Sequence, residues 1–297
     1  MRQFKLNRWI IEIEVSDGLV TAHKPGTWGR NQNGQLGNGK LTDSPLPVQV
    51  IGPSHSIGSE IIAIDANAWY SLALDADGTV YYWGTGYWSS RYMTPGTLSA
   101  AAPFPDSLWE NNLSISAGYD HVTSRKVGWN SKHDAFAWGR LRSTNKGIDY
   151  STHPPMGIGG DVTDTAAGYR HSLMLHSSGT VSETIFEFYY YFNQGGFTSE
   201  YYNWNTGLTN IKAISSKHHD RLALSHSGQV WAWAWTPEGE GDLKSGPDIP
   251  GYVTNGIIPI TGIGNVEYIS AGALYSYAVV DGVVWEWSNH VIYKDIN

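Results

Sequence analysis

His218, His219 and Asp220 stand consecutively, and Glu238 and Glu240 are separated by one glycine. These residue types ligate metals or move protons, but their setting argues against both roles. Adjacent side chains on a strand point to opposite faces, so His218 and His219 are not expected to share an ion. The glutamates lie in TPEGEGDLKSGPD, which reads as a solvated loop. Asp149, Asp161 and Asp164 lack the spacing of a calcium-binding loop. No G-x-S-x-G elbow, P-loop, H-E-x-x-H segment or S-x-D-x-G-x-x-W box occurs. The absence of cysteine removes thiolate metal sites, thiol nucleophiles and disulfides. The sequence therefore predicts a protein that is not an enzyme and needs no metal or other cofactor.

The chemistry that is abundant is stacking and anchoring. The 297 residues include 14 Trp and 18 Tyr, while only 15% are charged. Such rings favour strands, pack on sugars and anchor protein interfaces. The formal net charge of −8 argues against nucleic acid as a partner, since that requires a basic face. The basic start MRQFKLNRWIIEIEV alternates apolar residues with Glu12 and Glu14 and lacks the unbroken apolar core of a secretory signal. No window is apolar for long enough to span a membrane as a helix, so no membrane insertion is expected. The two locations expected are the cytoplasm and a virion or surface assembly.

The elements that must position these rings recur. Residues 61–84, 113–139, 163–186, 211–234 and 266–288 share an apolar strand, a short turn, a second strand, a glycine turn and a third strand. LNRWIIEIEVSDGLV (6–20) lies over ANAWYSLALDADGTV (66–80) without a gap and makes a sixth copy. Leu72 and Leu74, or Leu222 and Leu224, alternate with small or polar residues, the period-two pattern of a strand. Asp77-Gly78, Ser178-Gly179, Ser227-Gly228 and Asp281-Gly282 are hairpin turns. A fourth strand follows a longer loop, as LPVQVI follows Pro45. Repeats of this length that cannot bury both sheet faces alone close into a β-propeller. The expected fold is all-β, one propeller domain over 1–297, with blades near 2–51, 60–98, 112–156, 162–205, 210–260 and 265–297.

WGRNQNGQLGNGKLTDSPLPVQV (28–50), with AGYDH, AGYRHSLML and GTVYYWG, resembles the repeat of the regulator of chromosome condensation family. The resemblance covers nearly the whole chain and is weakest in the fourth copy, which lacks the terminal Trp-Gly. It implies a propeller, usually of seven blades, whereas six copies are counted here. It also implies that His121 and His171 brace the repeat, a role that Tyr70 and Tyr275 share by position. The activity best known for the family is nucleotide exchange on a small GTPase, some members using a β-wedge for which no obvious insertion appears. Trp28, Trp83 and Trp138 end equivalent strands and are expected to be buried between blades.

In a four-stranded meander the first turn and the third-to-fourth loop lie at one end. Aligned first turns read Arg8-Trp9-Ile10, Ala68-Trp69-Tyr70, Tyr119-Asp120-His121, Tyr169-Arg170-His171, His218-His219-Asp220 and Ala273-Leu274-Tyr275. The middle residue varies most between copies, which selects Trp9, Trp69, Asp120, Arg170 and His219 as partner-binding candidates, joined by Tyr87 and Trp88 from a long loop. The function expected is a binding or adhesion propeller that grips a protein or glycan through this face. A phage-tail or bacterial surface receptor-binding component fits the Tyr- and Asn-rich loops. The alternatives are a nucleotide-exchange-factor-like regulator of a small GTPase and a structural subunit of a larger assembly.

Overall fold

The computed structural model describes residues 26–51, 61–67, 69–85, 98–103, 111–119, 121–127, 133–139, 142–144, 147–149, 156–169, 171–191, 196–237, 252–272, 275–288 and 291–294. All regular structure among them is strand, and no helix is long and apolar enough to cross a membrane. The copies become antiparallel sheets. The first contributes the pair β1 (Gly26–Gly29) and β2 (Ser44–Gln49). The second is β3 (Ile61–Ala66), β4 (Tyr70–Asp75), β5 (Val80–Gly84) and β6 (Leu98–Pro103), paired in that order. The third is β7 (Asn112–Ala117), β8 (His121–Val127), β9 (His133–Gly139) and β12 (Met156–Gly159), with the small hairpin β10 (Arg142–Thr144) and β11 (Gly147–Asp149) inserted before β12.

The fourth sheet is β13 (Val162–Ala167), β14 (His171–His176), β15 (Val181–Tyr191) and β16 (Gly196–Asn205). The fifth is β17 (Ile211–Lys217), β18 (Asp220–Ser225), β19 (Val230–Pro237) and β20 (Tyr252–Pro259). The sixth is β21 (Tyr268–Ala271), β22 (Ser276–Val280), β23 (Val283–Ser288) and β24 (Val291–Lys294). The last strands of the second and third sheets run to Pro103 and Gly159, past the limits of 98 and 156 read from the repeats. Residues 1–25, where the first two strands of the N-terminal copy are expected and which include Trp9, lie outside the described residues.

The core is distributed over the joints between sheets. Alternation along one strand serves two neighbours. Leu72, Leu74, Val80 and Tyr82 pack with Ile115, Ala117 and Val122 of the third sheet, whereas Ala73, Tyr81 and Trp83 pack with Val50 of the first copy. The fifth sheet repeats this: Ala223 and Trp233 face Leu173, Leu175, Val181 and Ile185, while Leu222, Leu224 and Val230 face Val266, Ala278 and Trp287. Of the tryptophans expected at the joints, Trp83 is 1% exposed and Trp28 is half-buried. The side chain of Trp138 is not among those described.

At the end carrying the glycine turns, the turns of the second, fourth and fifth sheets each stitch their sheet to the next. Gly78, at φ +83°, accepts from the Asn112 amide through its carbonyl at 3.1 Å. A Cβ there would lie 2.7 Å from the Asn111 backbone, so only glycine fits. Gly179 and Gly228 bond to Ile211 and Val266 in the same way. Around the axis the inner strands are laced by side chains: Asp65 Oδ2 accepts from the Ala117 amide at 2.8 Å, Ser116 Oγ from Ala167 at 3.0 Å and Ser215 Oγ from Ala271 at 2.9 Å.

Candidate functional site

The end opposite the glycine turns carries the first turns of the sheets, and four of them form a connected rim. The first turn of the second sheet is closed by Asn67, whose Oδ1 accepts from the amides of Trp69 at 2.7 Å and Tyr70 at 3.0 Å. Its Nδ2 donates onward to the carbonyls of Gly118 and Tyr119 in the next turn. The Tyr119 amide then donates to Gly168 at 2.9 Å, and the Tyr169 amide to His218 at 2.6 Å. Each turn is thus bonded to its successor, from the second sheet to the fifth.

The last residues of the second, third and fourth triplets brace the next sheet. Tyr70 is 1% exposed, with its hydroxyl 2.8 Å from the Gly118 carbonyl and 2.9 Å from that of His121. His121 Nε2 lies 3.0 Å from Ser172 Oγ, and His171 Nε2 lies 2.6 Å from Ser216 Oγ. Ser216 gives its own proton to the Asp220 carbonyl, so the neutral His171 ring donates from Nε2. Burial pushes His121 down to about 3, with Lys217 adding to the shift, and holds His171 well below the usual range, Arg221 adding there. Both rings are neutral structural braces at pH 7. Tyr275, equivalent in sequence, is 43% exposed.

The first residues of three consecutive triplets come together as one aromatic patch. Tyr119 and Tyr169 have ring centres 4.6 Å apart, and Tyr169 lies 5.3 Å from His218 and 5.1 Å from His219. His218 and His219 sit edge to face at 4.3 Å. Opposite-face placement of these histidines does not hold, because they are the two tip residues of the β17–β18 hairpin and not strand residues. His218 takes a φ of +52°, which turns its ring toward that of its neighbour. No group of three or more His, Asp or Glu side chains able to hold a metal occurs among the described residues.

Of the residues selected from sequence, Trp69 lies on the rim and is 37% exposed, and His219 belongs to the aromatic patch. Trp9, Tyr87, Trp88, Asp120 and Arg170 lie outside the described residues. Selection by variability passed over Tyr119, Tyr169 and His218. The signal that marks them is an aromatic or imidazole ring at the first triplet position in three consecutive copies.

Beneath the patch is a buried charged cluster. Arg221 donates from Nε and Nη2 to Glu183 Oε1 at 2.8 and 2.7 Å, and Trp233 Nε1 donates to Glu183 Oε2 at 3.0 Å. The ion pair is 2% and 0% exposed. Arg221 Nη1 also donates to the His219 carbonyl, so the pair holds the turn. Burial lowers the Arg221 guanidinium, opposed by the Glu183 charge, and it stays protonated. Burial raises the Asp220 carboxyl to about 6, against the pull of Arg221. Lys217, at the end of β17, skips the fourth sheet and reaches the Ala117 carbonyl at 2.8 Å and Asp65 Oδ1 at 3.4 Å.

Residues 27–74 match the model of the regulator of chromosome condensation (RCC1) repeat. The chain is 24% identical to Protein pim1 of Schizosaccharomyces pombe over 273 residues, covering 89% of this chain and 43% of that protein. It is 28% identical to the ultraviolet-B receptor UVR8 of Arabidopsis thaliana over 159 residues, covering 52% and 35%. It thus spans less than half the length of these relatives. Among solved structures it is similar to Prp20p of Saccharomyces cerevisiae, described with its binding properties to Gsp1p and histones (TM-score 0.64, 19% identity, 89% of this chain and 67% of that one). It is similar also to human WBSCR16 (TM-score 0.63, 19% identity, 92% and 75%). None of these names refers to adhesion or to a glycan.

Proposed function

From the premise that this chain is a β-propeller built of RCC1 repeats, we propose that it is a non-enzymatic protein-recognition module that regulates a partner of the small-GTPase class. The partner sits on the mouth bearing the first turns. The observation that carries this is the rim itself: turns of four successive sheets, bonded to one another by the Asn67 side chain and by the Tyr119 and Tyr169 amides, present Trp69, Tyr119, Tyr169, His218 and His219 on one surface. Preorganised aromatic surface loses little entropy on binding, and such residues dominate interface energetics. A protein partner is favoured over a glycan because the similarity to Protein pim1 runs through 89% of the chain and Prp20p, of like fold, is described with two protein partners.

The test is release of a fluorescent guanine nucleotide from a panel of purified small GTPases, run beside a glycan array. The expected result is faster release from at least one GTPase, and its loss in the Trp69→Ala, Tyr169→Ala double variant. No acceleration and no binding across the panel, with a glycan retained on the array, overturns the proposal in favour of adhesion.

A further inference from the structure

The first turn of the fifth sheet differs from its equivalents at three positions together. The third and fourth turns begin with Gly118 and Gly168 and end with His121 and His171, whereas the fifth begins with Lys217 and ends with Asp220. The next residue, Val122 or Ser172 in those copies, is Arg221. The first change requires the second. A Cβ at Gly168 would lie 2.0 Å from the His171 ring, and one at Gly118 2.6 Å from that of His121. A side chain can enter at Lys217 because the brace histidine is absent.

The exchange replaces neutral braces by buried charges, which cost desolvation. Closure of the turn does not call for them, since Gly118 and Gly168 close theirs by donating to the His121 and His171 carbonyls at 2.8 and 2.9 Å. What the charges do is hold both ends of one dipeptide. Lys217 precedes it and is tied to Ala117 and Asp65; Arg221 is tied to Glu183 and grips the His219 carbonyl. Between them His218 is kept in the left-handed region, which is unfavourable for a non-glycine residue. The two rings so fixed lie against Tyr169.

We propose that Lys217 and Arg221 are positioning residues that fix the His218-His219 turn as the specificity-determining part of the recognition mouth. This rests on the function proposed above, and the test separates the two. Amide hydrogen exchange on the full chain reads the turn directly. In Glu183→Gln, and separately in Arg221→Lys, exchange at residues 217–220 should rise roughly 10-fold or more while residues 118–121 keep their protection. Lys217→Met, at the other end of the turn, should do the same and serves if the first two variants do not fold. Unchanged protection at 217–220 in the folded variants overturns the positioning role.

The second arm gives the fifth turn the residues of the fourth, by His218→Tyr with His219→Arg. Nucleotide release from the GTPase panel should then change its order of preference by roughly 10-fold or more for the best substrate, the effect of losing an interface anchor. An unchanged order overturns the specificity role and leaves the proposed function standing. If no GTPase responds to the wild-type chain, the proposed function fails and the specificity role with it, while the exchange result still decides positioning.

Discussion

The joint between the first copy and the second sheet and the joint between the fourth and fifth sheets meet the same demand by opposite means. In each, a strand-two residue paired with a strand-three tryptophan points its donors at the preceding copy: Ser71 with Trp83, Arg221 with Trp233. At the first joint the acceptor is the Gln35 carbonyl, 3.0 Å from Ser71 Oγ and 2.8 Å from Trp83 Nε1. The Gly-rich loop that presents it is folded by Asn31, which donates to Lys40 and Thr42 and accepts from Leu36. At the other joint β15 runs into a long hairpin with β16, no such loop follows, and the Glu183 carboxylate takes its place. A neutral acceptor costs the ordering of a long loop. A charged one costs desolvation and demands a cation to match. The absence of such a loop from the fourth copy and the arginine in the fifth thus belong together.

The largest effect is expected where the charge is broken. Glu183→Ala leaves Arg221 buried without its partner and should cost about 3–5 kcal/mol in urea unfolding, whereas Glu183→Leu with Arg221→Leu should recover most of that loss. If the double variant is as unstable as the single one, the pair does not substitute for the loop. Next come the tryptophans. Trp83→Ala, which empties the first joint, should cost roughly 3–5 kcal/mol. Trp83→Phe and Trp233→Phe each remove an N–H donor and part of a buried ring; the loss of ring is common to both, so Trp233→Phe should cost about 1 kcal/mol more because its acceptor is charged. Equal costs would mean that the carboxylate is no better an acceptor than the carbonyl.

A smaller effect is expected from acid. His121 binds its proton in the unfolded chain below 6.5 and in the folded one only near 3, so the folded state holds fewer protons in that window and stability falls as pH drops through it. Asp220 acts oppositely. It moves from 3.8 to about 6 on folding, so its share of stability is lost as pH rises through that range. Asp220→Asn should therefore steepen the acid loss of stability below pH 6, read from melting temperature against pH, and an unaltered slope would contradict its burial. The smallest effect is Ser71→Ala, about 1 kcal/mol, since Trp83 still satisfies Gln35.

The repeats were legible because period two and glycine turns are local. Leu72 and Leu74 alternate as strand residues must, Asp77-Gly78 reads as a turn, and the brace role expected of Tyr70, His121 and His171 matches their hydrogen bonds. The charged joint was not legible. Glu183 lies 38 residues from Arg221 and 50 from Trp233, and nothing near any of them announces the others. Variability between copies pointed to His219 but not to Tyr119 or Tyr169, because the patch arises where adjacent turns converge and not from divergence within one position. The placement of the histidine pair is hidden for a local reason as well: residues 218 and 219 form the hairpin tip, where strand alternation does not hold.

The lysine that passes over the fourth sheet also bears on how many repeats the chain can hold. Its ammonium reaches Ala117 and Asp65 as a chord of bounded length across the ring. A duplicated unit inserted between the third and fifth sheets would widen that span beyond the reach of one lysine side chain, and a deleted one would take away the gap that it bridges. Unequal exchange between repeats, the ordinary way such arrays gain and lose members, would at this place strand a buried cation. Lys217 thus acts as a gauge on copy number, and descendants of this chain that change their count should be found to have lost it first.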